Sequence, residues 1–288
     1  MIILDYNGIV ISNIFVQHSN EELTEGLLRH MTLNTIRMYN SKFKSDYGPL
    51  YIACDHRSWR KQVFEYYKAN RKKGREESSI EWPIVFDWLN QIREELEEYS
   101  PYNVIHVDGA EADDIIATLV ESTQEFGKNE KVMIVSSDKD FLQLQKYSNV
   151  KQFSPMRKKE LNEKDPERYL FEHLVRGDSG DGVPNIFSDD DTFVADDKRQ
   201  KPVSKKKLEA LYEGFRNGNI QFEKVEHERN FHRNQKMIDL SKIPSEIVED
   251  IHKEIGIHNN RTQTPNAFMN YLMKNKCTKL IPQLNDFF

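Results

Sequence analysis

The sequence predicts an α/β protein, with a central, mostly parallel sheet followed by a helical C-terminal part. Three observations carry that reading. Short apolar runs of strand length recur at Ile2-Ile3-Leu4, Pro49-Leu50-Tyr51-Ile52-Ala53-Cys54, Val104-Ile105-His106-Val107 and Val132-Met133-Ile134-Val135. Between the last two, Ala112, Ile115, Ile116, Leu119 and Val120 follow helical spacing, which makes a strand-helix-strand unit with a crossover. Beyond residue 200 only helical spacing is evident.

Each apolar run stops at carboxylates. The first leads to Asp5 and the second to Asp55. The third leads into Asp108-Gly109-Ala110-Glu111-Ala112-Asp113-Asp114, and the fourth into Ser136-Ser137-Asp138-Lys139-Asp140. In a parallel sheet the carboxyl ends of the strands share one edge, where ligands bind. Acids distant in sequence therefore meet there. Packed carboxylates repel and take up protons unless cations neutralise them. Hard divalent cations such as Mg²⁺ or Mn²⁺ suit an all-oxygen donor set. One strand ending in Asp is ordinary turn chemistry; four in one domain point to a metal site. A strict helix would put Glu111 and Asp114 on one face and Asp113 off it. The segment is better read as the first turn of a helix, with the cation beyond its end, where the dipole also favours acids.

In chain order, Asn7-Gly8 reads as a turn after the first strand. Leu23, Leu27, Leu28 and Met31 mark a helix face, with Ser19 or Asn20 as its cap. A basic stretch begins just past Asp55: Arg57, Arg60, Lys61, Lys68, Arg71, Lys72, Lys73 and Arg75, with Glu65 the sole acid from 57 to 75. Trp59, Phe64, Tyr66 and Tyr67 are interleaved with it. Cations neutralise phosphates and aromatic faces stack on bases; the plainer alternative is a solvated helix whose aromatics pack inward. Val85, Trp88, Leu89 and Ile92 mark the next helix, and Val150-Lys151-Gln152-Phe153 a further strand. Asp165-Pro166-Glu167 opens a helix with Asp as cap and Pro in the first position. It ends near Gly177, at Gly177-Asp178-Ser179-Gly180-Asp181-Gly182-Val183-Pro184-Asn185-Ile186. That glycine density permits a tight turn whose backbone can approach a phosphate or a cation. Residues 188–200 lack apolar periodicity and read as a mobile surface insertion. Later helices are marked by Leu208, Leu211 and Phe215, by Ile247, Val248, Ile251 and Ile255, and by Phe268, Tyr271 and Leu272.

Composition narrows the class. With 38% hydrophobic and 31% charged residues, the 288-residue chain has enough apolar side chains for a core. No run approaches the roughly 20 apolar residues of a spanning helix. No basic region precedes the first strand, so no signal peptide is expected. Cys54 and Cys277 lack zinc-like spacing, and the histidines form no paired ligand motif. A reducing cytoplasm, a host's if the source is viral, is the expected setting. The net charge of −6 argues against nucleic acid only until the clustering of the cations is considered.

The ordered set Asp5, Asp55, Glu111-Ala112-Asp113-Asp114, Asp138-Lys139-Asp140 and Gly177-Asp178-Ser179-Gly180-Asp181 resembles the flap endonuclease / 5′-3′ exonuclease superfamily. The segment Tyr67-Lys68-Ala69-Asn70-Arg71 resembles its helical arch. Ser136-Ser137-Asp138 and Lys151-Gln152-Phe153-Ser154-Pro155-Met156 resemble the ribonuclease H branch found in T-even-type bacteriophages. The resemblance covers most of residues 1–185 and, more loosely, the helical remainder. It implies a PIN-like 5′ nuclease fold: a metal-dependent core over 1–160 with a basic arch at about 57–80, and a helical domain over 161–288 with a helix-hairpin-helix loop at 177–186. It also implies two Mg²⁺ ions, replaceable by Mn²⁺. Asp5, Asp55, Glu111, Asp113 and Asp138 would hold the first; Asp113, Asp138, Asp140 and Asp181 the second; Asp114 and Asp178 would stand behind them. Lys68 and Arg71 would reach the scissile phosphate. Arg57, Arg60, Lys61, Tyr67, Lys72, Lys73, Gly180, Gly182 and Val183 would contact nucleic acid, with K⁺ at the 177–186 loop. That loop departs from the family pattern: no Asn follows the second Asp, and no Gly follows Pro184. The implied activity is Mg-dependent 5′-3′ exonuclease and flap endonuclease action on duplex DNA and RNA·DNA hybrids, removing RNA primers in replication. The implied chain is a monomer whose partners are nicked or branched DNA, RNA·DNA hybrids, a sliding clamp and a single-stranded DNA-binding protein.

Two rival readings bear on the same residues. A haloacid-dehalogenase-type phosphatase needs Asp-x-Asp after strand one, where this chain has Asp5-Tyr6-Asn7. A non-catalytic, structure-specific DNA-binding protein gains nothing from a pit of carboxylates facing phosphates. At the tail, Leu284, Phe287 and Phe288 either pack back onto the domain or serve as a clamp anchor; Leu284-x-x-Phe287-Phe288 resembles half of a clamp-binding peptide, with Ile281 where its glutamine would stand.

Overall fold

The computed structural model describes residues 1–18, 23–258 and 263–288. In chain order its main elements are β1 (Ile2–Asp5), α1 (Tyr6–His18), α2 (Glu25–Tyr47), β2 (Leu50–Cys54), α3 (Arg60–Val63), α4 (Arg71–Glu76), α5 (Trp82–Tyr99), β3 (Asn103–His106) and α6 (Ala112–Ser122). There follow β4 (Val132–Val135), β5 (Val150–Ser154), β6 (Lys159–Leu161), α7 (Pro166–Arg176), α8 (Lys205–Arg216), α9 (Val225–Ile238), α10 (Ser245–His258) and α11 (Pro265–Lys274). The chain forms two compact units. One comprises Met1–Arg57, Ile80–Asn162 and Ser245–Phe288; the other comprises Ser58–Ser79 and Glu163–Pro244.

The first unit is built on a six-stranded sheet of order β3-β2-β1-β4-β5-β6. The first five strands are parallel, and β6 adds an antiparallel edge. This short edge strand was not expected from Lys159-Glu160-Leu161, which has one apolar residue. β1 lies at the centre, with β2 on one side and β4 on the other. Connections leave these neighbours in opposite directions, so the switch point of the sheet lies between β1 and β4, at their carboxyl ends. β1, β2 and β4 are buried along their whole length, as parallel strands covered on both faces must be. α6 buries Ile115, Ile116, Leu119 and Val120, the spacing that predicted it.

Two helix starts differ from expectation. The chain makes no turn at Asn7-Gly8; α1 begins directly at Tyr6, because the Asp5 carboxylate accepts the Gly8 N–H at 2.9 Å and caps the helix. Ser19 and Asn20 lie outside the described residues. The cap of α2 is Thr24, whose hydroxyl accepts from Leu27 N at 3.3 Å.

At the tail, packing is realised. Phe287 is 1% exposed and meets Phe268 edge-on at 4.8 Å. Asn40 Nδ2 donates to the carbonyls of Asp286 and Phe287, and Arg37 pairs with Asp286. Leu284 and Phe288 are half-buried beside it, so of the two expectations for the tail the described residues realise the packing one. Phe287→Ala is expected to cost about 3–5 kcal/mol, read as a lower urea midpoint.

The second unit packs α7, α8 and α9 with the basic segment. Its core includes Phe64, Tyr67, Phe171, Val183, Leu208 and Phe231. α7 opens as expected, with Asp165 accepting from Arg168 N at 3.0 Å. α9 was not foreseen, because its inward face carries two asparagines. Asn234 donates to Leu174 O and Pro184 O, and Asn230 to Ile186 O and Ser188 O. These bonds satisfy buried amides that an apolar-periodicity reading cannot see.

The 188–200 segment corrects another expectation: it is laced down. Ser188 and Thr192 are buried. Asn185 N donates to Gln200 Oε1 at 2.8 Å, and Lys201 N to Ser188 Oγ at 2.8 Å. Its acids find cations nearby, Asp191 with Lys198 and Asp190 with Arg229 and Arg233. An acidic composition therefore reads as disorder only when those cations are not known.

Candidate active site

The sheet register brings the strand-end acids of the first unit together. Asp5 pairs with Ala53 across β1 and β2, so Asp55 follows two positions later on the neighbouring strand. Leu4 pairs with Val135, so Asp138 follows β4 on the other side. Cys54 pairs with His106, and the chain after β3 turns through Gly109 (φ +83°) and Ala110 to Glu111. Asp5, Asp55, Glu111 and Asp138 thus stand on the carboxyl ends of four adjacent strands.

Local bonds fix each acid. Asp5 is 9% exposed. Its Oδ1 accepts from Gly8 N, and its Oδ2 from Ser136 Oγ at 2.8 Å. A Cβ at position 8 would collide with this carboxylate, so the close approach needs glycine. Asp55 Oδ1 accepts from Ala112 N at 2.7 Å, which ties it to the start of α6. Glu111 caps α6 in a reciprocal box: its side chain accepts from Asp114 N, and Asp114 Oδ2 accepts from Glu111 N at 2.9 Å. Asp114 is fully buried. It sits behind Glu111, holding that residue's backbone N–H. Asp113 is half-buried in the same first turn. Asp138 is exposed; its N–H donates to Ser136 Oγ at 3.1 Å and its Oδ1 accepts from Asp140 N at 3.0 Å.

The electrostatics mark the edge as short of positive charge. Burial first, then the charge of Asp55 and more weakly that of Asp138, pushes the Asp5 carboxyl up to about 7, against the lowering by the Gly8 and Ser136 hydrogen bonds. A carboxyl that retains its proton near neutrality beside two further acids fits a site for cations. The donors are carboxylates, the chemistry that hard divalent ions prefer.

The second unit assembles the glycine loop and the basic segment. Asp178 and Val183 bridge each other across the loop, N to O at 2.8 and 2.7 Å. Gly177 (φ +68°) and Gly182 (φ +70°) take left-handed turns that permit it. Burial raises Asp178, but hydrogen bonds from His173 and from the N–H groups of Asp181 and Gly180 outweigh it and hold the carboxyl below its usual range. Asp181 accepts from Tyr67 OH at 2.9 Å and pairs with Lys68 at 3.5 Å and with Arg71. Lys68 N donates to Asp181 O at 2.7 Å, and Asn70 Nδ2 to Ser179 O at 2.8 Å. The two expected phosphate-binding cations are thus held by the glycine loop.

Several expected nucleic-acid contacts are corrected by burial. Arg60 is 1% exposed and donates to Met237 O at 2.9 Å. Tyr67 is 2% exposed, so its ring packs in the core. Gly182 and Val183 are buried as well. Arg57, Lys61, Lys72, Lys73 and Gly180 are exposed, as a contact role requires. Ser136 and Gln152, neither given a role from sequence, bind the acid-bearing turn. The legible signal was a buried-phase amide inside a strand run.

Comparison with known proteins agrees with this architecture. Residues 1–172 match the family described as 5′-3′ exonuclease, N-terminal resolvase-like domain, and residues 165–287 the family described as T4 RNase H, C terminal. The chain is 31% identical over 295 aligned positions to the ribonuclease H of enterobacteria phage T4, covering 99% of this chain and 95% of that protein. It is 34% identical to the flap endonuclease Xni of Shewanella halifaxensis, covering 45% of this chain and 50% of that one. Among solved structures, the bacteriophage T5 flap endonuclease in complex with DNA and metal ions superposes with a TM-score of 0.65 at 16% identity, covering 90% of this chain and 99% of that one, which shows a common fold. From a family match spanning the first 172 residues and a relative aligned along nearly its whole length, the chain belongs to the 5′-3′ exonuclease family, in the branch that carries the C-terminal region of phage T4 ribonuclease H.

Proposed function

We propose that this chain is a metal-dependent 5′ nuclease, a phosphodiesterase that acts as a 5′-3′ exonuclease on RNA·DNA hybrids and duplex DNA, cleaves flaps, and removes RNA primers during DNA replication. The observation that carries the reading is the edge of the first unit, where Asp5, Asp55, Glu111 and Asp138 end adjacent strands and Asp5 is pushed up to about 7. Family membership and the names of the relatives support the same reading.

Asp5, Asp55, Glu111, Asp113, Asp138 and Asp140 are the residues that would hold the cations, with Mg²⁺ as the assigned metal. Bound divalent ions supply a water activated at neutral pH and stabilisation of charge on the reacting phosphate. The chain's own part is to hold its acids oriented: Gly8 and Ser136 fix Asp5, Ala112 fixes Asp55, and the α6 cap fixes Glu111. In the second unit, Lys68 and Arg71 are assigned to the phosphate backbone. Exchange of the Asp181 carboxylate for a phosphate keeps both cations compensated. The exposed Lys61, Lys72 and Lys73 extend the same electrostatic surface. The loop at 177–186 is assigned to duplex backbone, with K⁺ as its candidate ion.

Asp138→Asn tests the reading with little disturbance to the fold, because Asp138 is exposed. Cleavage of a 5′-labelled RNA·DNA hybrid in Mg²⁺ is expected to fall at least about a thousandfold, the scale of losing several kcal/mol of metal catalysis. Undiminished cleavage contradicts the mechanism. Binding of the hybrid without cleavage by the parent chain, in any divalent metal, favours a non-catalytic binder.

A further inference from the structure

We infer that Ser136 and Gln152 are positioning residues of the acid edge, acting through Asp5 and Asp138 and touching no substrate. The inference rests on the metal-dependent reading above. Gln152 lies in β5, a strand that contributes no acid to the edge, and it is fully buried. Its Nε2 donates to two carbonyls of the turn that carries Asp138: Ser136 O at 3.0 Å and Asp138 O at 2.5 Å. Its Oε1 accepts no hydrogen bond from the described residues. An apolar side chain of similar volume would avoid burying that oxygen. The amide is therefore explained by its two donors, and what they grip is the turn.

Ser136, 2% exposed, sits where two acids meet. Its Oγ lies 2.8 Å from Asp5 Oδ2 and 3.1 Å from Asp138 N. Asp138 N–H can only donate, so the serine proton goes to Asp5. One atom thus ties the acid of β1 to the acid after β4. Because Gly8 N holds the other oxygen of Asp5, the plane of that carboxylate is fixed at both ends. A parallel tie anchors the same turn to β5: Ser137 Oγ meets Ser154 Oγ at 2.9 Å and accepts from Met156 N at 3.1 Å. With that tie in place, losing Gln152 loosens the turn and does not release it. The order of action runs from Gln152 to the turn, to Ser136, and so to Asp5 and Asp138. Partners that orient ligating carboxylates typically change metal affinity by about 10- to 100-fold when removed.

The test uses the full chain with Mn²⁺ as probe in titration calorimetry, and melting in EDTA as a control for folding. Ser136→Ala and Gln152→Met are each expected to weaken Mn²⁺ binding about tenfold or more. The Mg²⁺ concentration for half-maximal cleavage should rise by a similar factor, with kcat at saturating Mg²⁺ much less affected. Ser136→Thr, which keeps the hydroxyl, is expected to restore binding. If Gln152→Met does not melt cooperatively, Ser136→Ala decides alone, since it removes a single oxygen. Parental Mn²⁺ affinity in variants that melt like the parent overturns the inference, as does a loss that Ser136→Thr does not restore. In that case metal-dependent cleavage by the parent leaves the nuclease reading standing. A parent chain that binds no Mn²⁺ overturns both.

Discussion

Asp5→Asn is expected to abolish cleavage and, in the same molecule, to stabilise the metal-free fold. Asparagine keeps the shape, and its amide oxygen can still accept from Gly8 N, so α1 keeps its cap. The Ser136 hydroxyl can turn to accept from the new amide nitrogen. What disappears is a buried charge at the centre of an acid cluster. Cleavage should fall at least about a thousandfold, on the scale of losing several kcal/mol of metal catalysis. The stability change has the opposite sign. With its folded value pushed up to about 7, against 3.8 for the ordinary carboxyl, ionised Asp5 opposes folding. At pH 8 the penalty is on the scale of roughly 4 kcal/mol. Urea unfolding at pH 8 in EDTA should show the variant more stable than the parent, while single-turnover cleavage in Mg²⁺ shows it inactive. A variant both inactive and less stable would mean that Asp5 serves the fold and not a cation site.

Gly177→Ala should be the most damaging small change in the second unit. Gly177 has φ +68° and ψ −177°, a region closed to residues with a Cβ. A Cβ there would stand 2.5 Å from Pro184 C and 2.6 Å from Pro184 O, and would also collide with Val183 O. All are backbone atoms, Val183 O being the acceptor of the Asp178–Val183 bridge, and they cannot swing aside. The conformational strain alone is worth about 1–3 kcal/mol, and the collision adds to it by opening the loop. Melting should fall by several degrees, and affinity for a nicked duplex by about tenfold, while Mn²⁺ binding at the acid edge of the first unit is retained. Gly74→Ala is the control: it has nothing within 4 Å, and alanine favours a helix. Parental duplex affinity in Gly177→Ala would show that the loop takes no part in binding.

The acid edge was legible because two local signals coincide at each strand. A short apolar run fixes a strand, and the carboxylate after it fixes the end that the parallel topology gathers. The start of α7 was legible for the same reason, since Asp165-Pro166 is a local cap. Features decided by distant partners were not. α1 begins where a turn was expected because the Asp5 carboxylate, shaped by the acid site, also caps a helix. α9 buries Asn230 and Asn234 against carbonyls from distant parts of the chain, so its inward face looks polar. Arg60 and Tyr67 have the residue types of a nucleic-acid surface, yet Met237 O and Asp181 draw them inward. The pairing of Lys68 and Arg71 with Asp181 joins positions over a hundred residues apart, which no spacing rule contains.

The convergence of the acids is tested most directly by melting the parent chain and Asp5→Asn from pH 4 to pH 8, in EDTA and in Mg²⁺. Below an unfolded value of about 3.8, Asp5 is protonated in both states and contributes no difference. As pH rises toward 7 the unfolded chain releases the proton that the folded chain retains, so stability falls; above 7 the loss is complete. His30, His106 and His227, lowered mainly by burial, act in the opposite direction and cancel in the comparison. In EDTA the parent should fall progressively below Asp5→Asn up to about pH 7 and then run parallel to it; Mg²⁺ should raise the parent at pH 8 and leave the variant nearly unmoved. Parallel curves throughout, with no response of the parent to Mg²⁺, would contradict a cation site at the edge of this sheet.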